Sequence, residues 1–142
     1  MRRLSKLFVM VGAALMVAGS GPALEDGDKG EIRRVIEQQI DAFRHDDAAG
    51  AYAFAAPAIQ RVMPSADEFL AMVKRSYPPV YRPRSFAFVE GRDGEAHGAD
   101  QAVTIQAEDG TDWVALYSLA KQPDGAWRIT GCVLVKAPGT LI

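Results

Sequence analysis

The chain has 142 residues, 49% of them apolar, with one cysteine, two histidines and a formal net charge of −2. That length supplies one domain, with a core sizeable enough to do without disulfides, and the lone cysteine excludes an internal disulfide framework. One cysteine and two histidines do not furnish a His/Cys zinc site, and the acidic balance excludes the basic footprint of a nucleic-acid-binding domain.

Arg2, Arg3 and Lys6 form a basic head, followed by an uncharged stretch from Leu7 to Ala18. This is the pattern of a secretory signal peptide. Gly19, Ser20, Gly21 and Pro22 end the run short of the ~20 apolar residues that a membrane-spanning helix needs. Cleavage is expected after Ser20 or after Ala23. No cysteine lies near either position for lipid attachment, and the Arg-Arg pair lacks a twin-arginine context, so the general secretory route is expected, with no stable membrane anchor after cleavage. The expected organisation is a leader over residues 1–23 and one domain over residues 24–142. Loss of the leader removes three cations and no acid, leaving 13 basic against 18 acidic residues, a net charge of −5.

Asp28 to Glu31 reads as a capping box opening a helix, with Ile32, Val35, Ile36, Ile40 and Phe43 on its apolar stripe. A short Ala-rich helix is expected over Ala48 to Ala55, started by Asp46 or Asp47 and ended or kinked at Pro57. Ser65 to Glu68 repeats the capping-box signature, and Phe69, Met72, Val73 and Tyr77 form the buried face of a third helix stopped by Pro78 and Pro79.

Beyond the prolines the period becomes alternating. Phe86 and Phe88 mark a first strand, ended by Gly91 to Gly94, and Gln101, Val103, Ile105 and Ala107 share one face of a second. Asp109-Gly110 turns the chain into Trp113, Ala115, Tyr117 and Leu119. Pro123-Asp124-Gly125 turns it into Trp127, Ile129, Gly131, Val133 and Val135, with Gly131 marking a bend or bulge. Connections this short allow only antiparallel pairing. The fold class is therefore α+β: N-terminal helices packed on a curved four-stranded antiparallel sheet, cone-like, with a pocket expected at the open end.

Gln39 falls within the apolar stripe of the first helix, so its amide either bonds to backbone as a structural element or orients a ligand. Trp113 and Tyr117 point to one sheet face together with Gln101; they serve either the core or an aromatic pocket opposite Gln39. Asp46 is the candidate acid–base residue, with helix capping as its competing role. His45 and His97 are expected in solvent. Cys132 reads as a small buried hydrophobe on a strand, with an intermolecular disulfide or a reactive thiol as the alternatives. Phosphate loops, nucleophile elbows and His-Glu-x-x-His metal motifs are absent from the sequence, so no cofactor and no metal is expected.

The order and spacing of these landmarks resemble a bacterial family known as domain of unknown function 4864. The residues that carry the resemblance are Val35-Ile36, Gln39, Phe43, Asp46, Pro57, Phe69, Val73, Tyr77, Gln101, Asp109-Gly110, Trp113, Ala115, Tyr117, Trp127-Arg128-Ile129 and Gly131-Cys132. That family is in turn similar to the nuclear-transport-factor-2-like, cystatin-like cone folds, which include ketosteroid isomerases, polyketide cyclases and non-enzymatic binding or assembly modules. The resemblance implies the fold. An isomerase of that fold combines an oxyanion-stabilising Tyr and acid with a separate Asp base, and this chain does not match that set residue by residue.

The leading expectation is an exported, non-catalytic module that binds a small apolar molecule or a partner protein. An isomerase- or cyclase-like enzyme using Asp46 is the runner-up. A homodimer formed through the open sheet face, where Val114, Leu116 and Ala120 are apolar, is the third reading.

Overall fold

The computed structural model describes residues 24–94 and 98–138. Residues 1–23, where a leader was expected, and His97 lie outside the described residues.

The first apolar stripe builds α1 (Asp26–Arg44), which buries Ile32, Val35, Ile36, Gln39, Ile40, Ala42 and Phe43. Its start differs from the capping-box expectation. The helix begins three residues earlier, its N-cap Glu25 makes no side-chain cap, and Asp28 instead accepts from the Trp127 indole N–H at 3.0 Å and from Lys121 Nζ at 3.3 Å. A long-range partner outcompetes the local cap because a charge-assisted bond to a partly buried indole also fixes helix against sheet.

Asp47 caps α2 (Ala48–Ala53), accepting from Gly50 N at 3.0 Å. That helix ends at Ala53, with Phe54 as its C-cap, and is not stopped by Pro57. Pro57 occupies the first turn of a further helix, α3 (Pro57–Val62), where its fixed φ is favourable and its missing N–H costs nothing. Ser65 caps α4 (Ala66–Ser76) as expected, accepting from Glu68 N at 3.2 Å. Pro78 repeats the device of Pro57 and opens a single turn, α5 (Pro78–Tyr81). Five helical segments are thus described where three were expected, because Pro57 and Pro78 each start a helix.

The strands are β1 (Ser85–Phe88), β2 (Arg92–Asp93), β3 (Gly98–Gln106), β4 (Asp112–Lys121) and β5 (Trp127–Lys136). All pair antiparallel in the order β1-β3-β4-β5, and β2 continues the β1 edge along β3. Arg92 and Asp93, expected in a turn, therefore pair with Asp100 and Ala99. Gly110 and Gly125 take φ near +90° in the two hairpin turns, as the Asp-Gly pairs require.

Trp127, Ile129, Gly131, Val133 and Val135 do not share one face of β5. The register of β4 against β5 shifts between Ser118 and Leu119: Leu119 pairs with Ile129 but Ser118 pairs with Gly131, so Thr130 is the extra residue of a bulge. One inserted residue exchanges the faces of everything beyond it. Cys132, opposite Tyr117, and Leu134, opposite Ala115, therefore lie on the face of Tyr117, while Val133 and Val135 lie on the other.

The core lies between α1 and the inner sheet face, where Ile32, Ile36, Ile40 and Phe43 join Val103, Ile105, Ala115 and Leu119 in one cluster. Backbone bonds from Ala56 N to Ile129 O and from Ile129 N to Phe54 O, both 2.8 Å, tie the end of α2 to the β5 edge.

Candidate functional site

The helices do not close completely over the β4–β5 end of the sheet. A cavity of about 260 Å³ remains, walled by Gln39 and Phe43 of α1, Phe69, Met72 and Val73 of α4, and Tyr117 and Cys132 of the sheet. Ala55, Ile59, Met63, Tyr77, Val80 and residues 129–131 complete it. Among the described residues, the lining holds no Asp, Glu, Lys, Arg or His.

Each polar group of the wall has a defined state. Gln39, 3% exposed, donates from Nε2 to Ala51 O at 3.0 Å, so its amide serves the α2 backbone and fastens that helix to α1. Tyr77 donates its hydroxyl to Cys132 O at 3.2 Å, joining α4 to the β5 edge. Burial pushes the Cys132 thiol up to about 12, so it stays protonated and unreactive at neutral pH. Tyr117 is 2% exposed and its hydroxyl, fully buried, has no hydrogen-bond partner among the described residues. Burial, reinforced by the neighbouring Cys132, raises the Tyr117 phenol well above its ordinary value and keeps it neutral.

Of the sequence candidates, the structure brings together Gln39 and Tyr117. Gln101 is buried beside Tyr117 in the pairing of β3 with β4, but its Nε2 donates to Val89 O and, at 2.8 Å, to Ala102 O. It thereby holds the break between β1 and β2 and does not line the cavity. Trp113 shares the Tyr117 face, yet four residues at ~3.4 Å each set it at the far end of the strand. There it borders a separate groove with Pro78, Pro79 and Leu134.

Asp46 is not in the cavity wall. Its backbone ends α1 at φ 52°, a left-handed conformation that Asp tolerates. Its exposed carboxylate accepts from the Tyr81 hydroxyl and, at 3.1 Å, from Arg82 Nη2. The Tyr81 hydrogen bond first, and then the Arg82 charge, hold its pKa below the usual carboxylate range. A surface carboxylate kept ionised by an ion pair is placed to fasten α1 to α5, not to take a proton from a molecule in the cavity. Capping falls to Asp47 alone.

Cys132 is the lining residue that alternation along β5 assigns to the wrong face. Gly131 was the available signal, since glycine in a strand interior marks bulges. Alternation alone does not say on which side of the glycine the extra residue falls. His45 is exposed, with Nδ1 2.8 Å from Asp41 O.

No curated protein and no solved structure matches the chain. A family model described as a domain of unknown function (DUF4864) matches residues 25–142, the whole of the helical and sheet region, and the chain belongs to that family.

Proposed function

We propose that this is an exported, non-catalytic module that holds a small, neutral, largely apolar molecule between α1, α4 and the β4–β5 end of the sheet. The observation that carries the reading is the uncharged cavity of about 260 Å³. An apolar cavity of about 150 Å³ takes benzene, so this one has room for a bicyclic body. A general acid or base needs a group that titrates near the working pH, and burial moves the Tyr117 phenol and the Cys132 thiol of the wall upward, away from it. Export rests on the basic head and the uncharged run of residues 7–18.

Thermal unfolding with a panel of hydrophobic compounds tests the reading. Ligands of bicyclic size are expected to raise the midpoint in a concentration-dependent way. Met72→Trp, which fills the cavity from α4, is expected to abolish the shift while the protein stays folded. No shift with any compound would refute the proposal.

A second reading has its own observation. On the outer sheet face Leu116, Val133 and Val135 are 43%, 59% and 45% exposed, and Leu116 and Val133 are direct cross-strand partners. A second copy of the chain would cover this face without any complementary charge, and light scattering would show the dimer mass.

A further inference from the structure

We propose that the open half of the β5 edge, Cys132 to Lys136, takes an extended apolar segment of a partner protein as a further antiparallel strand. One large apolar side chain of that segment sits in the groove bordered by Trp113. The inference concerns a different surface from the cavity and does not rest on the ligand reading.

Strand β5 ends the sheet order, so β4 occupies one of its edges and the other faces away from the sheet. The bond from Ala137 N to Asp112 O shows that beyond the bulge the odd-numbered residues turn their backbone groups to β4. Cys132, Leu134 and Lys136 therefore direct N–H and C=O to the open edge. Part of that edge is already used. Phe54 O and Ala56 N bond to Ile129, and the Tyr77 hydroxyl donates to Cys132 O. Among the described residues no backbone group bonds to Cys132 N, to N or O of Leu134, or to N or O of Lys136.

Unpaired N–H and C=O groups in a row along an uncovered edge are a template for another strand. The surfaces on either side of the edge specify its side chains. On the helix side Leu134 borders a groove of about 630 Å³, with Pro78, Pro79, Ala107 and Trp113 as its apolar wall. A residue paired with Leu134 points its side chain to that side. On the other face Val133 and Val135 stand in solvent, and the residues before and after the seated one lie beside them. The segment therefore carries three successive apolar residues, the central one in the groove.

A single strand suits the site better than a second copy. Two copies paired through β5 about Leu134 would set the two Leu134 residues opposite one another at ~5.5 Å. The Pro78–Pro79 wall shares a groove with Leu134, so two such walls would compete for one place.

The probe is the acetylated, amidated peptide Lys-Thr-Val-Leu-Val-Thr-Lys, titrated into the 15N-labelled protein and followed by amide NMR. Shifts and slowed hydrogen exchange are expected to centre on the amides of Cys132, Leu134 and Lys136. N-methylation of the peptide leucine removes the N–H that donates to Leu134 O, and is expected to weaken binding by roughly tenfold. N-methylation of the valine before it, whose N–H points away from β5, is expected to change affinity by less than about twofold. Lys136→Pro removes an edge N–H without touching the β4 ladder, and is expected to weaken binding by roughly tenfold while the unfolding midpoint is kept.

Absence of amide shifts at about 1 mM peptide would overturn the inference, as would shifts centred away from β5. Equal effects of the two methylated peptides, including none from either, would overturn it too. A dimer mass in light scattering that the peptide converts to monomer would assign the edge to a second copy and overturn the partner segment. If Lys136→Pro does not fold, the two methylated peptides on the wild type decide alone.

Discussion

Tyr117 shows how one atom sets the character of a site. Its ring is ordinary core, packed with Ala115 and Leu119 on the inner face of β4, and only the hydroxyl stands outside the packing logic. Tyr117→Phe is therefore expected to stabilise the ligand-free protein by about 1 kcal/mol, a rise of a few degrees in the unfolding midpoint by calorimetry. Gln39 is the opposite case. Its position within the apolar stripe announced a buried amide, and the structure gives that amide a backbone partner on α2. Gln39→Leu removes one of the two hydrogen bonds to the Ala51 carbonyl, leaving the one from Phe54 N, and is expected to cost about 1 kcal/mol in denaturant unfolding. Burial of both residues was legible from spacing. Which had a partner was not, because Ala51 lies 12 residues from Gln39 and no periodicity encodes that contact.

Among the elements, α1 and β5 depend on contacts that local rules do not contain. Asp28 links the first turn of α1 to Trp127 and Lys121, and its pKa is lowered chiefly by the Trp127 hydrogen bond, with Lys121 contributing. A carboxylate with a depressed folded-state pKa adds stability that is present above its unfolded value and is lost as pH falls through the folded value. Asp28→Asn is accordingly expected to lower stability at neutral pH by about 1 kcal/mol. The difference from wild type should shrink below about pH 4, as a series of urea midpoints would show. On β5 the bulge at Thr130 decides which residues reach the cavity. Inserting one alanine between Gly131 and Cys132 would drive Val133 and Val135 inward and Cys132 outward. The expected result is a loss of several kcal/mol together with loss of ligand binding, measured by denaturation and by the thermal shifts with hydrophobic compounds.

At the scale of the whole molecule, the two sheet faces divide the possible roles. The inner face meets the helices and encloses the cavity, while the outer face leaves Leu116, Val133 and Val135 in solvent. Val133→Lys is expected to change monomer stability by less than about 0.5 kcal/mol, since the site is exposed. If a second copy covers the face, the same substitution shifts the light-scattering mass from dimer to monomer. An unchanged dimer mass would remove the face from consideration as the interface.

The sequence by itself determined the α+β class, the hairpin turns, the buried stripe of α1 and the inner faces of β3 and β4. Each of these follows from periodicity and turn chemistry within a dozen residues. Only the tertiary structure decided that Pro57 and Pro78 open helices, that Asp28 serves Trp127 rather than its own helix, that Trp113 and Gln101 stand away from the cavity, and that Cys132 enters it. The reason is common to all four. Helix and strand periods are local, whereas a register shift, an ion pair or the space left between packed elements depends on residues far apart in the chain, which meet only when the fold is complete.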